Sequence, residues 1–200
     1  MGMRILVRPR VLLGIDPAAG KHRPMHESPG ADEVFDVVDE HDRIVAQAPR
    51  REVHGRGLRH RAVHVLVFNP TGEVFLQKRS MTKDTAAGLW DSSASGHLNA
   101  GEDYDACAVR ELCEEIGLNV RRPPSRWLRL EACPESGNEF VWVYRLTTAD
   151  ALILNSDEIE RGVWLMPREV SRLACARPAE YASSFRLIWR TLTGRHELPG

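Results

Sequence analysis

Residues 96–118, GHLNAGEDYDACAVRELCEEIGL, decide the fold of this chain, and the second half of the stretch has the pattern of a short α-helix. Asp103 or Glu102 can cap the start of the helix, and Gly117 stands where a left-handed residue would end it. Apolar residues at helical spacing predict one buried face, which consists of Ala106, Val109, Leu112 and Ile116.

The opposite side of the predicted helix carries three carboxylates, Glu111, Glu114 and Glu115. Like charges four residues apart destabilise an isolated helix by about 0.2–0.5 kcal/mol per pair, so a stable helix that gathers them usually has a cation to neutralise them. Oxygen ligands favour a hard ion, and the pattern therefore predicts a Mg²⁺ or Mn²⁺ site. A solvated acidic face is the alternative interpretation of such a charge run.

Nine residues of this stretch resemble the Nudix box at every defined position of that motif; they are Gly96, Glu102, Arg110, Glu111, Leu112, Glu114, Glu115, Gly117 and Leu118. A match in register at both glycines and at all the glutamates favours a Nudix domain over a solvated helix face. The resemblance implies an α+β Nudix fold, in which a mixed β-sheet is sandwiched between α-helices. It also implies a hydrolase that acts on a diphosphate linkage.

The chemistry of diphosphate hydrolysis gives the glutamates a role. A diphosphate is kinetically inert because its negative oxygens repel an attacking hydroxide, so a catalyst needs cations and a positioned water. Carboxylates at helix positions i, i+3 and i+4, such as Glu111, Glu114 and Glu115, can converge on one cation or on adjacent cations. The resemblance implies that they hold Mg²⁺ or Mn²⁺, that Glu111 and Glu115 are the principal ligands, and that metal-activated water attacks phosphorus. Glu158, in an acidic segment before a predicted strand, is a further candidate as ligand or general base.

Two basic residues outside the box are candidates for binding the diphosphate. Arg79 and Lys83 follow a predicted strand, and a bidentate guanidinium beside an ammonium suits a diphosphate. The segment that contains them, QKRSMTK, resembles the isopentenyl-diphosphate-isomerase-like branch of the family, which implies that both side chains bind the substrate. His60 and His97 match metal-binding histidines of that branch, and His54 lies one residue out of register with a third. Whether these histidines bind a metal is left open by the sequence.

Four further residues of the box are expected to support the site without taking part in the chemistry. Glu102 and Arg110 can pair and brace the loop against the helix. Gly96 and Gly117 allow tight backbone turns that a side chain would block.

Two other functions compete with the hydrolase. An isomerase of prenyl diphosphates needs a strong acid or nucleophile, classically a cysteine, and Ser95 stands at the corresponding position. A serine hydroxyl ionises far less readily than a thiol, and the complete box also favours hydrolysis. The third hypothesis is a nucleotide-sensing module without turnover, which the intact set of glutamates disfavours.

Net charge and composition limit the kinds of partner that we expect the protein to bind. The 200 residues carry a formal net charge of −1, so no overall positive field attracts nucleic acid or an anionic membrane. No apolar run approaches the length of a membrane span, and the 4 cysteines form no CxxC pair, as in a reduced cytoplasmic protein. We therefore expect a cytoplasmic enzyme with a small-molecule diphosphate substrate, and a homodimer is compatible with the sequence.

The rest of the chain is predicted to form short strands and terminal helices around the box. Residues 1–32 are rich in Pro, Gly and charge, which predicts a flexible N-terminal extension before a domain at 33–195 and a C-terminal tail at 196–200. Strands are predicted at 35–38, 44–46, 61–68, 73–77, 127–132, 140–146 and 163–165, a loop at 80–95, and helices at 168–174 and 178–193. Trp90, Trp142 and Tyr144 are candidates to stack on a nucleobase, although core packing is their commoner role.

Overall fold

The computed structural model describes residues 10–13 and 33–198, which form a mixed β-sheet, a separate hairpin and four α-helices. The strands are β1 (Arg10–Leu13), β2 (Val34–Val38), β3 (Ile44–Pro49), β4 (His60–Phe68), β5 (Val74–Arg79), β6 (Trp90–Asp91), β7 (Ala94–His97), β8 (Ser125–Leu130), β9 (Glu139–Thr147) and β10 (Ile159–Leu165). The helices are α1 (Arg50–Arg56), α2 (Tyr104–Ile116), α3 (Pro167–Ala176) and α4 (Ser183–Gly194).

The main sheet is split near its centre. Its strand order is β1-β10-β5-β4-β9-β8, in which β4 and β9 run parallel and the other neighbours run antiparallel. β4 and β5 pair at Phe68 and Val74, at the turn that connects them. Beyond this pair β4 and β5 no longer pair with each other: β6 pairs with β5, and β7 pairs with β4. The divergence of β4 and β5 therefore leaves an opening in the sheet beside β7.

Helices cover both faces of this sheet. Alternate residues of β4 point to opposite faces, so that Leu66 joins one buried core and Val65 joins the other. The first core includes Phe185 of α4, and the second includes Leu112 of α2. A mixed sheet between helices confirms the predicted α+β class.

Most predicted elements agree with the structure, and two do not. The predicted strands coincide within a few residues with β2, β3, β4, β5, β8, β9 and β10. The prediction of a loop at 80–95 is wrong in its second half, where β6 and β7 are too short to show alternation and form by pairing with β5 and β4. The last helix begins later than predicted, at Ser183, because residues 178–180 form a separate 3-10 turn. The Ala182 N–H then donates to the Trp90 carbonyl, and Tyr181 and Ala182 are extended between the two helical segments.

The N-terminal extension is described only in part. Arg10–Leu13 form an edge strand against β10, which the sequence did not predict. Residues 1–9 and 14–32 of the extension, and residues 199–200 of the tail, lie outside the described residues. The domain boundaries near residues 32 and 195 therefore stay a prediction. Within the described chain, each helix is too short or too polar to cross a membrane.

Candidate active site

The helix that carries the glutamates begins and ends as the sequence predicts. The Asp103 carboxylate accepts a hydrogen bond from the Ala106 N–H at 2.9 Å and caps the first turn of α2. Gly117 has φ of 70° and ends the helix in the left-handed conformation. The glutamates therefore lie on a helix whose two ends are set by local signals.

The buried face of α2 differs from the predicted one. Ala106 is exposed, whereas Glu111 and Glu115 are 7% and 3% exposed. The Glu114 side chain is 55% exposed, at the edge of this face. The prediction of an apolar face is wrong at Ala106 because the side of α2 that meets the opening in the sheet carries two of the three carboxylates.

Gly96 provides the space that Glu111 occupies. A Cβ atom on Gly96 would lie 1.9 Å from Glu111 Oε1 and 2.2 Å from its Cδ, so a larger residue in β7 would displace the carboxylate. Burial and the nearby Glu115 raise the pKa of Glu111 well above its usual range. Oε1 accepts a hydrogen bond from Arg110 at 2.6 Å, and Oε2 accepts none within residues 33–198.

Glu115 lies in the opening between β5 and β7. Its Oε2 accepts hydrogen bonds from Gln77 Nε2 at 2.8 Å and from the Ser95 N–H at 3.0 Å, while Oε1 accepts none from the described residues. Burial raises the pKa of Glu115 to about 7, although Lys83 and Arg79 oppose the shift. Each of the two buried carboxylates thus keeps one oxygen free for another ligand.

Arg110 joins the box into one network. Its Nε and Nη2 donate to the two oxygens of Glu102, each at 2.9 Å, so the pair that the sequence predicts is bidentate. Nη1 donates to Glu111 at 2.6 Å and to Glu114 at 3.0 Å. The guanidinium therefore ties the loop before α2 to two of the box glutamates.

The candidate phosphate ligands and Glu158 lie beside the glutamates. Arg79 is 8% exposed, and its Nη1 lies 3.4 Å from Asp91 Oδ2 while its Nε donates to the Thr85 carbonyl at 3.2 Å. Lys83 forms a close ion pair with Glu158. The structure brings Glu158 to the site, where it neutralises one of the predicted phosphate ligands.

One cavity of about 540 Å³ contains these residues. It is lined by Arg79, Lys83, Gly96, Arg110, Glu111, Glu114, Glu115 and Glu158 among others. Its walls carry seven carboxylates against four Lys and Arg side chains, a formal charge of −3 when the histidines are neutral. An anionic diphosphate would be repelled from such a cavity unless cations entered with it.

A second cluster of metal-ligand side chains borders the same cavity. It consists of His54, His60, His97 and Glu139, whose ligand atoms all lie within 4.8 Å of one another. His97 Nε2 lies 3.0 Å from Glu139 Oε1. His54 Nε2 and His60 Nε2 are buried and have no hydrogen-bond partner in the described structure. Burial lowers the pKa of His97 to about 4, so its imidazole is neutral, as a metal ligand must be.

Glu139 is the member of this cluster that the sequence did not predict. β9 runs parallel to β4 and pairs Glu139 with His60. His54 joins them from α1, although its place in the sequence is one residue out of register with the isomerase-like branch. No local spacing signals Glu139, because its neighbours in the cluster come from other elements.

Comparison with known proteins places this fold and site in a family. The NUDIX domain matches residues 58–187, which is more than half of the chain. The chain belongs to the Nudix family. An uncharacterised Nudix hydrolase of Streptomyces coelicolor is 38% identical over 136 residues, which cover 67% of this chain and 73% of the relative.

Two further likenesses define the branch and the fold. An isopentenyl-diphosphate Delta-isomerase of Photorhabdus laumondii is 32% identical over 162 residues, which cover 78% of this chain and 90% of the isomerase. The crystal structure of a Deinococcus radiodurans protein has a TM-score of 0.69 at 25% identity and covers 80% of this chain and 98% of its own. The predicted Nudix fold, the likeness to the isomerase branch and the enzyme class are confirmed, and the protein is a Nudix hydrolase.

This Nudix hydrolase has no thiol on the walls of the described cavity. Ser95 lines the cavity, at the position where the resemblance to the isomerase branch implies a cysteine. The cysteine nearest in the box, Cys107, is buried, and burial raises the pKa of its thiol far above the usual range. The thiol that a prenyl isomerase classically uses is therefore missing from the described walls of this cavity.

The aromatic residues considered for base stacking do not line the described cavity of this Nudix hydrolase. Tyr144 is fully buried in the core beside α2. Trp142 packs against the same core, with the Arg126 guanidinium 4.9 Å from its ring centre. Trp90 packs against the opposite core, with Arg161 at 5.7 Å. Core packing, which is the commoner role of such residues, therefore accounts for all three.

The raised pKa of Glu115 predicts an unusual pH dependence of stability for the metal-free Nudix hydrolase. The folded-state pKa is about 7 against an ordinary value of 4.5, so between these values the folded state holds the proton more tightly than the unfolded state. Protonated Glu115 therefore contributes on the order of 3 kcal/mol to the free energy of unfolding. This contribution is fully present below about pH 4.5 and is lost as pH rises through about 7.

This contribution can be isolated with Glu115→Gln, which does not titrate. In EDTA, the unfolding free energy of the wild type should fall relative to that of the variant between about pH 5 and about pH 8. Urea unfolding at several pH values measures the difference. Parallel curves for the two proteins would show that Glu115 ionises normally in the folded state.

Proposed function

We propose that this Nudix hydrolase is a Mg²⁺- or Mn²⁺-dependent pyrophosphohydrolase that cleaves a diphosphate linkage in an organic pyrophosphate, nucleoside diphosphate derivatives being one candidate class. The supporting observation is the buried pair Glu111 and Glu115, each with one oxygen free of hydrogen bonds from the described residues. Buried carboxylates are unfavourable unless a cation joins them. Their oxygen donors suit a hard divalent ion.

The proposed roles follow from position. A divalent ion, when bound, neutralises phosphate oxygens and lowers the pKa of a water molecule. Glu111 and Glu115 would hold the ion, and the more exposed Glu114 would add a ligand from the edge of the cavity. Arg79 and Lys83 would bind oxygens of the diphosphate, since both line the same cavity. The Glu102–Arg110 pair, Gly96 and Gly117 would hold the helix and its carboxylates in place.

The Lys83–Glu158 ion pair gives Glu158 its proposed role. When Lys83 moves to a phosphate oxygen, Glu158 loses its partner and becomes available to a cation or to a proton. Glu158 would then serve as an added ligand or accept the proton of the attacking water. Arg79 would stay in place, because Asp91 and the Thr85 carbonyl hold it.

A substrate panel tests the proposed hydrolysis. Nucleoside triphosphates, dinucleotides, nucleotide sugars and prenyl diphosphates are incubated with Mg²⁺, with Mn²⁺ and with EDTA, and released phosphate and monophosphate products are measured. We expect metal-dependent release from at least one member and none in EDTA. Interconversion of five-carbon prenyl diphosphates without phosphate release would support the isomerase instead. Tight binding of a nucleotide without turnover of any member would support the sensing module.

We also propose that His54, His60, His97 and Glu139 hold a second cation, as the likeness to the isomerase branch implies. The supporting observation is the pair of buried imidazole nitrogens, on His54 and His60, that have no hydrogen-bond partner among the described residues. Nitrogen ligands favour a transition metal such as Zn²⁺. After removal of metal and reloading with Zn²⁺, elemental analysis should find about one ion fewer per chain in His60→Ala than in the wild type. The control is His41→Ala, because the His41 side chain is 65% exposed. Equal metal content in both variants would contradict the second site.

A further inference from the structure

The walls of the cavity have a composition that bears on the substrate. Among the described residues that line it, none is Phe, Tyr or Trp and none is Leu, Ile, Val or Met. The apolar lining consists of small residues such as Ala62, Ala86 and Ala182. A hydrocarbon chain would find no extended apolar wall here, and a nucleobase would find no Phe, Tyr or Trp ring on which to stack.

The floor of the cavity is a buried polar network. His64 Nδ1 lies 2.9 Å from Ser92 Oγ and 3.7 Å from Asp91 Oδ1. Asp91 also faces Arg79 through its other oxygen, at 3.4 Å. These four side chains are buried, and a hydrocarbon placed over them would remove water without replacing its hydrogen bonds. A hydroxylated group would replace those hydrogen bonds.

Hydroxyl groups stand at the rim of the same cavity. Thr85 lies in the loop after β5, and Ser183 and Ser184 lie in the first turn of α4. Thr85 and Ser183 are exposed and Ser184 is half-exposed, and their hydroxyls form no hydrogen bond with the described part of the chain. Each can donate one hydrogen bond and accept another, which suits a ligand that also carries hydroxyls.

We propose that the group attached to the diphosphate is compact and polyhydroxylated, of the sugar or polyol class, and carries neither a nucleobase nor a prenyl chain. This inference rests on the proposed hydrolysis of a diphosphate at Glu111 and Glu115. The diphosphate lies against Arg79 and Lys83, and the hydroxylated group extends between the polar floor and the rim hydroxyls of Ser183 and Ser184.

Four compounds with phosphoanhydride bonds test the substrate class with the full-length protein. They are 5-phosphoribosyl 1-diphosphate, ADP, dimethylallyl diphosphate and inorganic tripolyphosphate, each assayed for phosphate release with Mg²⁺. We expect kcat/KM for the phosphoribosyl compound to exceed that for dimethylallyl diphosphate and for tripolyphosphate by at least about tenfold, since a site built for hydroxyls discriminates against ligands that lack them. It should exceed that for ADP by a similar factor, because the described walls offer the adenine ring no Phe, Tyr or Trp on which to stack. A preference for ADP or dimethylallyl diphosphate, or equal rates on all four, would overturn the proposal.

Binding separates this inference from the proposed catalysis. Calorimetry with Ca²⁺ in place of Mg²⁺ measures the affinity of the same four compounds whether or not they are hydrolysed. Tight binding of the phosphoribosyl compound without hydrolysis would support the substrate class and contradict the hydrolase. Hydrolysis of ADP alone would support the hydrolase and contradict the proposed substrate class.

A pair of variants tests the rim. The double variant Ser183→Ala and Ser184→Ala should weaken binding of the phosphoribosyl compound about tenfold and leave the affinity for tripolyphosphate within about twofold. The control is Ser125→Ala, an exposed serine at the start of β8 that is not part of the cavity wall. Equal weakening of both compounds, or of neither, would contradict contact between the rim and substrate hydroxyls.

Discussion

Glu115→Gln is expected to lower kcat/KM with Mg²⁺ by about 10³-fold, which corresponds to ~4 kcal/mol of transition-state stabilisation. The side chain has the same size, so its remaining oxygen can still accept hydrogen bonds from Gln77 and from the Ser95 N–H. What is lost is the negative charge that the proposed cation requires. The variant should therefore fold normally but bind the metal weakly. Steady-state kinetics measure the loss of activity, and calorimetric titration with Mn²⁺ measures the loss of metal affinity.

Matched variants show whether this loss belongs to the site. Glu111→Gln should lose activity to a similar extent, and Glu114→Gln less, because the Glu114 side chain is 55% exposed. Glu169→Gln is the control, since Glu169 pairs with Arg172 on α3 and is not part of the cavity wall. Metal-dependent activity that survives in both Glu111→Gln and Glu115→Gln would contradict the assignment of the metal ligands.

Gly96→Ala is expected to lower kcat/KM by about 10²-fold while it destabilises the fold by less than ~2 kcal/mol. The new methyl group would lie 1.9 Å from Glu111 Oε1, and the atom it meets is the end of a flexible side chain. The carboxylate can move at modest cost to stability, but the free oxygen then leaves its place beside Glu115. Kinetics with varied Mg²⁺ and urea unfolding measure the two effects separately.

The control for this substitution is another glycine. Gly55 lies in α1, and a Cβ atom there would meet nothing within 4 Å. Gly55→Ala should raise the free energy of unfolding by about 0.5–1 kcal/mol, because alanine loses less conformational freedom in a helix. Adding Glu111→Asp to Gly96→Ala should restore part of the metal affinity, since the shorter side chain avoids the new methyl group. Full activity in Gly96→Ala alone would show that the position of Glu111 is not critical.

Local signals made α2 and its network predictable from the sequence. The Asp103 cap, the Gly117 end and the Glu102–Arg110 pair each depend on residues within about two turns of one another. The strands could be predicted to within a few residues for the same reason, because alternation is a property of the segment itself. β6 and β7 could not, since strands of 2 and 4 residues form only where longer strands offer them partners.

The roles within the site required tertiary structure. Helical spacing treats Glu111, Glu114 and Glu115 alike, and the packing of α2 against β7 buries the first and third while it leaves Glu114 half-exposed. The sequence left Trp90 and Tyr144 between base stacking and their commoner role in core packing, and the packing of the two cores decides for the latter.

The amino-acid sequence alone determined the family, the helix that carries the three glutamates and the residues that brace it, because these depend on contacts between near neighbours along the chain. The tertiary structure alone decided that Glu139 joins His60 and that seven carboxylates share one cavity with four cations. Such pairings depend on strand order and register, which are set by the burial of whole faces of the sheet rather than by any one segment.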